Sequence, residues 1–349
     1  MAYDETSDPF DPYALPLVRV DDQAGSDSQR FALACTAALK KIPSTVLLPP
    51  SRELALTSPT PKVRPGVNVM GDPQGNSRVY CDFPGAAAPS GSAPAGMMVL
   101  GGPTVTTRGS MLGGFSIRGR ATGFYRLLVA QACREPWLRD LDFGVCGQSF
   151  VELRDVAVGS NLPVVDRVVG RYGGDNSFDR GSSKYKLHMV NTPDAWLRKL
   201  DLGRPFDVSA PGDRYNNQSF VTFNASPRGI VSDSNLWYTQ TYCANTHGSG
   251  SNGTIFRRVQ VSPGVDALYG AFLVGNEAWG PDVDVVVRDC LMVGPGKFSQ
   301  VRAGSTLWLV DNVLPSGAIA TPYTFGPGSG IVHVTTGDVY DAWWQGLTT

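Results

Sequence analysis

A short alternating phrase recurs along this chain of 349 residues. It consists of an apolar pair, one or two charged residues, an apolar–x–apolar triplet and, in most copies, a closing small residue. A period of about 20–50 residues built on one short strand is typical of a solenoid, whose stacked units share one core. The phrase therefore predicts an all-β fold, a single-stranded parallel β-helix. Its copies are found at 137–144, 151–159, 196–203, 255–262, 286–294 and 307–314.

Within each coil, the parts of the phrase have separate predicted roles. Coils stack about 4.8 Å apart, so equivalent apolar residues form columns inside the solenoid. The charged pair marks the place where the strand turns outward, and the closing glycine supplies the positive φ for the bend. We expect Arg139-Asp140 of one coil to lie beside Arg154-Asp155 of another as surface ion pairs. The predicted interior equivalents are Leu141, Val156, Leu200 and Val259.

An irregular β-sandwich of short strands is the alternative architecture. A sandwich favours antiparallel hairpins, whose tight turns prefer Asn-Gly or Asp-Gly. Asn252-Gly253 is one such pair, but the chain has few others, and its connections are long and uneven. The pattern therefore favours the parallel solenoid.

One helix is predicted, near the N-terminus. Asp27 is the predicted N-cap, residues 28–41 carry a helical apolar face, and Ile42-Pro43 ends the helix. A short buried strand follows at 45–48. Because an open β-helix end exposes unpaired strand edges and an apolar core, we expect this helix to lie across that end and cap it.

Composition narrows the range of partners. Lys and Arg number 30 against 31 acidic residues, so there is no basic field for nucleic acid and no polybasic segment for membranes. Residues 1–16 lack the basic and apolar regions of a signal peptide, and no run of 18 apolar residues occurs in the chain. The six cysteines lack a C-x-x-C pair, and we expect them to be reduced and mostly buried.

Three segments resemble the right-handed parallel β-helix (pectate-lyase-like) superfamily, and within it phage tailspikes and minor tail proteins. "VRVDDQAGSDSQRFALACTAALKKIPSTVLLPPS" resembles the family's opening strand and capping helix, "VRPGVNVMGDPQGNSRV" its first coil and "MLGGFSIRGRATGF" a second or third coil. The family's long Gly-Asp-Gly-x-x-Asp-Asp-Thr opening is shortened here to 23–28. The resemblance covers roughly residues 17–315.

The resemblance implies a homotrimeric virion protein of the phage tail, assembled in the host cytoplasm, that contacts polysaccharide on the host surface. The implied organisation has four parts. They are an attachment arm for other tail proteins at 1–16, an opening strand and capping helix at 17–62, a parallel β-helix at 63–315, and a C-terminal cap or oligomerisation segment at 316–349.

Two predicted insertions between coils, at 171–185 and 232–253, are the candidate functional loops. Aromatic faces stack on sugar C–H groups, and polar groups beside them bind hydroxyls. The predicted ligand-binding residues are Arg180, Trp237, Tyr238 and Tyr242. The weaker catalytic candidates are Asp175, Asp179, Asp233, Glu277 and Asp282.

Nothing in the sequence pairs these carboxylates, although a glycosidase needs two of them about 5–5.5 Å or 6.5–9.5 Å apart. The three histidines, His188, His247 and His333, lack zinc spacing, and we expect each to be a surface or hydrogen-bonded residue. No cofactor and no metal are predicted. A polysaccharide lyase, with Arg180 as a possible base, or a glycoside hydrolase is the first alternative function, and a purely structural tail component is the second.

Overall fold

The computed structural model is a parallel β-solenoid, as predicted. Every strand pairing between its named strands is parallel, which contradicts the sandwich alternative. The structure describes residues 11–58, 62–82, 96–101, 110–119, 126–144, 149–156, 162–170, 185–203, 219–237, 242–248, 250–262, 270–275, 283–293, 297–314, 320–322 and 330–337.

The strands form two sheets. Sheet A has 15 strands and sheet B has nine. Sheet A contains β1 Leu17–Arg19, β2 Ser44–Leu47, β3 Glu53–Leu56, β4 Val67–Met70, β5 Ser77–Cys81, β7 Met111–Gly119, β9 Trp137–Phe143, β11 Val164–Gly170, β13 Trp196–Gly203, β15 Ile230–Trp237, β17 Thr254–Ser262, β19 Asp284–Arg288, β20 Leu291–Met292, β22 Thr306–Val310 and β24 Ile331–Thr335. Sheet B contains β6 Gly96–Gly101, β8 Arg126–Gln131, β10 Ser149–Arg154, β12 Tyr185–Val190, β14 Ser219–Asn224, β16 Tyr242–His247, β18 Gly270–Val274, β21 Ser299–Val301 and β23 Ala320–Pro322.

Through most of the chain the strands alternate between the two sheets, so one coil consists of one strand from each. β8 and β10 in sheet B, for example, flank β9 in sheet A. The two copies of the phrase at 137–144 and 151–159 therefore belong to one coil and lie in different sheets. Parallel pairing extends from β1 to β24, beyond both ends of the predicted β-helix range 63–315.

The core is a set of aliphatic and aromatic columns. One column runs through sheet A from β1 to β22, one residue from each coil, and every member is buried. Burying each such side chain contributes about 1.5–3 kcal/mol, so the columns supply the main stabilisation of the solenoid. The members are Val18, Val46, Val69, Leu112, Leu138, Val165, Leu197, Val231, Phe256, Val287 and Leu309.

The predicted interior equivalents are correct in part. Leu141 and Leu200 lie in one column, because both pair with Val168 of the coil between them. Val259 continues this column in β17, opposite Ser234. Val156 is buried but follows β10 of sheet B, so its inclusion in the column was wrong. The error arises because the phrase at 151–159 has the same pattern as sheet A strands while lying in the other sheet.

The bend within sheet A lies at the second charged residue of the phrase, so the charged pair marks the turn, as expected. The closing glycine of one copy, Gly203, also has a positive φ, 87°. Asp140 has φ 51° and Lys199 has φ 53°, in the left-handed region. This conformation costs a non-glycine residue about 1–2 kcal/mol, so the column of bends is maintained by packing and pairing around it. The bend positions are Gly114, Asp140, Arg167, Lys199, Asp233, Arg258, Asp289 and Asp311.

The predicted ion pairing between Arg139-Asp140 and Arg154-Asp155 is also wrong. Asp140 accepts hydrogen bonds from Arg167 of the next coil, with Nε–Oδ1 at 2.5 Å. Arg154 pairs with Glu152 on its own strand. The two predicted partners lie in different sheets and therefore cannot stack.

The N-terminal cap is confirmed. The α-helix α1, Asp27–Ala38, continues as a 3-10 turn, Leu39–Lys41, and buries four side chains in the core: Phe31, Ala34, Cys35 and Ala38. Its N-cap is Ser26, one residue before the predicted Asp27, because Ser26 and Gln29 form a capping box. Asp27 instead accepts a hydrogen bond from the backbone N–H of Ala55 at 2.9 Å, which ties the helix to β3.

Part of the predicted attachment arm packs on the solenoid. A 3-10 turn, Pro12–Ala14, places Tyr13 on an apolar patch of Leu47, Met70 and Met111. Five cysteines are free and buried, as expected, and Cys146 lies outside the described residues. Within the described ranges no helix is long and apolar enough to span a bilayer.

Candidate functional site

A polar row runs along the outer face of sheet B. Side chains alternate between the two faces of a strand, so Leu187 and Met189 point into the core while His188 between them points outward. Register pairing aligns one outward residue from each sheet B strand from β8 to β21, and all of them are buried. We call this set the sheet B row: Val129, Glu152, His188, Thr222, Asn245, Leu273 and Gln300.

Glu152 lies at the centre of a charged cluster at one end of the row. Its carboxylate is fully buried and has two arginines as partners: Nε of Arg126 lies 2.5 Å from Oε2, and Nε of Arg154 lies 2.7 Å from Oε1. Nδ1 of His188, on the next coil, lies 3.4 Å from Oε2. We call Arg126, Glu152, Arg154 and His188 the Glu152 cluster.

His188 and the two arginines together keep Glu152 ionised. Burial raises the pKa of this carboxyl, but the hydrogen bond and charge of His188 and the charges of Arg126 and Arg154 lower it more, to about 2. Burial lowers the pKa of His188, and the nearby Glu152 opposes this only in part. At neutral pH the imidazole is therefore uncharged. Because ionised Glu152 can only accept, the proton of that imidazole lies on Nδ1 and the lone pair on Nε2.

A second histidine lies near the cluster. His247 of β16 pairs in register with Asn224, which in turn pairs with Val190, in the outward column next to the sheet B row. It is buried, and burial together with the charge of nearby His188 lowers its pKa to about 4. His188 on β12 and His247 on β16 are thus separated in sheet B by the single strand β14, although they are 59 positions apart in the numbering.

The two arginines of the Glu152 cluster reach solvent beside the row. The side chain of Arg154 is 30% exposed and that of Arg126 is 14% exposed, while Thr222 and Asn245 further along the row are buried. A ligand approaching the outer face of sheet B would therefore meet arginine first.

The predicted site residues that the structure describes, Asp233, Trp237 and Tyr242, are not brought together in one site. Asp233 occupies a bend of sheet A, where it is ion-paired with Arg258 at 2.6 Å. Burial raises its pKa, and the hydrogen bonds from Arg258 and Ser232 lower it more, so the net direction is downward. Trp237, at the end of the same strand, donates to Asp201 at 2.8 Å. Asp175, Asp179, Arg180, Tyr238, Glu277 and Asp282 lie outside the described residues.

Tyr242 is placed in sheet B at the start of β16. It is buried, and its hydroxyl lies 3.5 Å from Nδ2 of Asn245 in the sheet B row. His188 lies beside Glu152, with Nδ1 3.4 Å from Oε2, in line with the expectation of a surface or hydrogen-bonded histidine, and His247 is buried and not on the surface. His333 stacks on Trp308, with ring centroids 4.1 Å apart.

The sequence analysis missed the Glu152 cluster. A signal was present, because the strands containing "VELR", "KLHMV", "FVTFN" and "CANTH" each place a polar residue between two residues that face the core. These strands follow connections of very different length, so their mutual register could not be read without the structure. No group of three metal-ligating side chains occurs among the residues that the structure describes.

The cluster has the groups for two kinds of chemistry. Two arginines recognise anions, since a guanidinium offers paired N–H donors that match a carboxylate or phosphate. A neutral imidazole whose Nδ1–H is oriented by a carboxylate is the arrangement of a general base.

Comparisons with known proteins identify the fold and no closer relationship. No protein family model and no curated protein matches the chain. Among solved structures, PfbA, a surface adhesin of Streptococcus pneumoniae, is similar with a TM-score of 0.55 and 7% identity, over 92% of this chain and 90% of that one. A mutant tailspike of E. coli bacteriophage HK620, in complex with a hexasaccharide, has a TM-score of 0.51 and 12% identity, over 91% of this chain and 64% of that one. The chain therefore shares the right-handed parallel β-helix fold of these two proteins.

Proposed function

We propose that this chain is a tail spike or minor tail protein of a phage virion, and that it contacts host surface glycan through the outer face of sheet B. The observation that carries the proposal is the Glu152 cluster. Burying a carboxylate completely between two partly buried guanidinium groups is costly, and a solenoid of stacked aliphatic columns does not need them for stability. A cluster of charged side chains that costs folding free energy and is partly exposed on the face of a sheet indicates a binding surface.

The fold supports the same proposal. Both a surface adhesin and a tailspike in complex with a hexasaccharide share this architecture. The parallel solenoid offers a rigid wall many coils long, on which a chain of sugars has several places to bind. Arginine side chains at one end of the row supply hydrogen-bond donors for its hydroxyl or acidic groups.

The other parts of the proposal concern assembly. We propose that the segment before Pro12 attaches the protein to other tail proteins, that the assembled protein is a homotrimer, and that it is built in the host cytoplasm. Tyr13 packs on sheet A, so the attachment arm in this proposal ends before Pro12 and does not extend to residue 16. Trp343 and Trp344, which the proposal places in the trimer interface or the C-terminal cap, lie outside the described residues.

A binding assay on whole cells tests the proposal. Purified protein should adsorb to cells of the host strain, and a glycan extract of those cells should compete for adsorption. Arg154→Gln should weaken adsorption, whereas Arg118→Gln should not, because Arg118 pairs with Glu53 in sheet A, away from the row. Absence of adsorption to every host strain carrying related phages would favour the purely structural tail component.

Polysaccharide cleavage is the second candidate function, and the neutral imidazole held by ionised Glu152 favours it. A lyase product carries an unsaturated sugar, and a hydrolase product carries a new reducing end, so the two activities are separable by assay. Loss of steady product formation in His188→Gln would assign cleavage to the Glu152 cluster. Loss in Asp175→Ala or Asp233→Ala would instead support the carboxylates predicted from the sequence.

A further inference from the structure

The Glu152 cluster carries more positive than negative charge. Two arginines share one ionised carboxylate, and both nearby histidines are neutral at neutral pH. Within the described part of the chain, the cluster therefore keeps one uncompensated positive charge at a buried to half-buried site. Coulombic attraction is stronger there than in bulk water, because the effective dielectric constant is lower.

The donors that remain belong to the arginines. Arg154 contacts Glu152 through Nε, and among the described residues its two terminal nitrogens have no protein acceptor. Arg126 likewise pairs with Glu152 through Nε, and no further acceptor for it is found in the described ranges. Glu152 accepts a hydrogen bond from Nε of Arg154 and forms an ion pair with Arg126, so the terminal N–H groups of both guanidinium groups remain available to a ligand.

The positions of the cluster residues on their strands determine where a ligand can bind. Arg126 lies on β8 opposite Ser149 of the adjacent strand β10, which also carries Glu152. Adjacent strands of a sheet are about 4.8 Å apart. Arg154 lies two residues beyond Glu152, on the same face of β10. The accessible side chains are thus confined to two neighbouring coils, a patch that suits one charged sugar.

We propose that Arg126 and Arg154 form an anion subsite that takes the acidic group of one sugar residue in the glycan. This inference rests on the proposed glycan contact and specifies its chemistry. The ligand group is a carboxylate of a uronic or sialic acid, or a sulfate or phosphate ester, all of which accept two hydrogen bonds from a guanidinium. Glu152 acts as a positioning residue that holds both arginines, and it does not itself touch the ligand.

Binding of defined oligosaccharides to the full-length chain tests the proposal. The probes are oligogalacturonate and oligosialate for carboxylates, sulfated dextran oligomers for sulfate, a teichoic-acid fragment for phosphate, and neutral dextran as the uncharged reference. At least one acidic probe should bind about tenfold or more tightly than neutral dextran, and Arg154→Gln should remove that advantage. The acidic probe that binds tightest identifies the chemical group.

Two further variants separate a specific subsite from general charge. Arg154→Lys keeps the charge but loses the planar donor pair, so it should retain only part of the affinity. The matched control, Arg118→Gln, removes a bidentate arginine from an exposed carboxylate on sheet A and should bind acidic probes like the unmodified protein. Circular dichroism of each variant verifies that it is folded.

The failures are distinguishable. If host glycan binds and Arg154→Gln binds every acidic probe as well as the unmodified chain does, the subsite is overturned while the proposed glycan contact stands. If neither host cells nor any probe bind, both are overturned.

Discussion

His188 and Glu152 face each other across adjacent strands of sheet B, as register partners of β12 and β10, with Nδ1 3.4 Å from Oε2. The contact joins two coils beside the partly exposed side chains of Arg126 and Arg154. Its chemistry depends on burial, which keeps the imidazole neutral, and on two arginines, which keep the carboxylate ionised. The relationship is therefore both a structural tie between coils and the centre of the proposed site.

Removing the Glu152 charge should destabilise the protein. Glu152→Gln leaves Arg126 and Arg154 beside a neutral amide, so we expect the free energy of unfolding to fall by about 3 kcal/mol. Glu53→Gln, which breaks the exposed pair with Arg118, should cost less than about 1 kcal/mol. Denaturant unfolding of both variants measures the difference. Equal losses would show that burial gives Glu152 no special role.

Acid should weaken the fold in a way that depends on His247. Its pKa is about 4 in the folded protein against an ordinary value of 6.5, so the unfolded chain takes up the proton first as the pH falls. The stability due to this group is fully present above pH 6.5 and is lost between pH 6.5 and 4, by up to about 1.4 kcal/mol per pH unit. Glu152, with its pKa lowered to about 2, adds a further loss below its ordinary value of 4.5.

Unfolding free energies measured from pH 7 to 4 test this prediction. In His247→Gln the slope between pH 6.5 and 4 should be shallower than in the unmodified chain, since one titrating group is removed. His188, whose pKa is also lowered, should contribute in the same direction. Parallel pH profiles for the two proteins would contradict the assignment of a buried neutral His247.

At the bend in sheet A, substitutions should change stability in the direction opposite to that expected in an ordinary strand. Lys199 is exposed and has φ 53°, a conformation that β-branched residues avoid. Lys199→Val should therefore destabilise the protein by about 1–2 kcal/mol, although valine is favoured in strands. Lys199→Gly should be neutral or stabilising at the same position. Thermal unfolding of the two variants measures these changes in stability. A valine variant more stable than the unmodified protein would show that Lys199 has regular strand geometry.

The core column can be tested at its middle. Leu197→Ala removes a fully buried side chain between Val165 and Val231, and should cost about 2–5 kcal/mol. Leu291→Ala, at a side chain that is 38% exposed in the same sheet, should cost much less. Denaturant unfolding provides both values. Similar costs at the two positions would mean that the column does not carry the stability of the solenoid.

Fold class was readable from the sequence because coil-to-coil repetition leaves a local pattern. The alternation around Leu141 and Leu200, and the capping helix before Pro43, are each written in a few adjacent residues. The phrase could not reveal which sheet a copy belongs to, since "VELRDV" and "WLRDLD" look alike and lie in different sheets.

The candidate site was not predictable in the same way. Glu152, His188 and His247 come from three different coils, and the connections between those coils vary in length. Their proximity follows from strand register, which no local pattern specifies. The residues chosen from the sequence were instead clusters of neighbours in the chain, and Asp233 and Tyr242 of one such cluster lie in different sheets.

The most direct test of the glycan contact is a crystal structure of the protein with oligosaccharide released from the host surface. The account predicts sugar density on the outer face of sheet B, with an acidic group within hydrogen-bond distance of Arg154 or Arg126. Well-defined sugar density on sheet A, with the Glu152 cluster unchanged and empty, would contradict it.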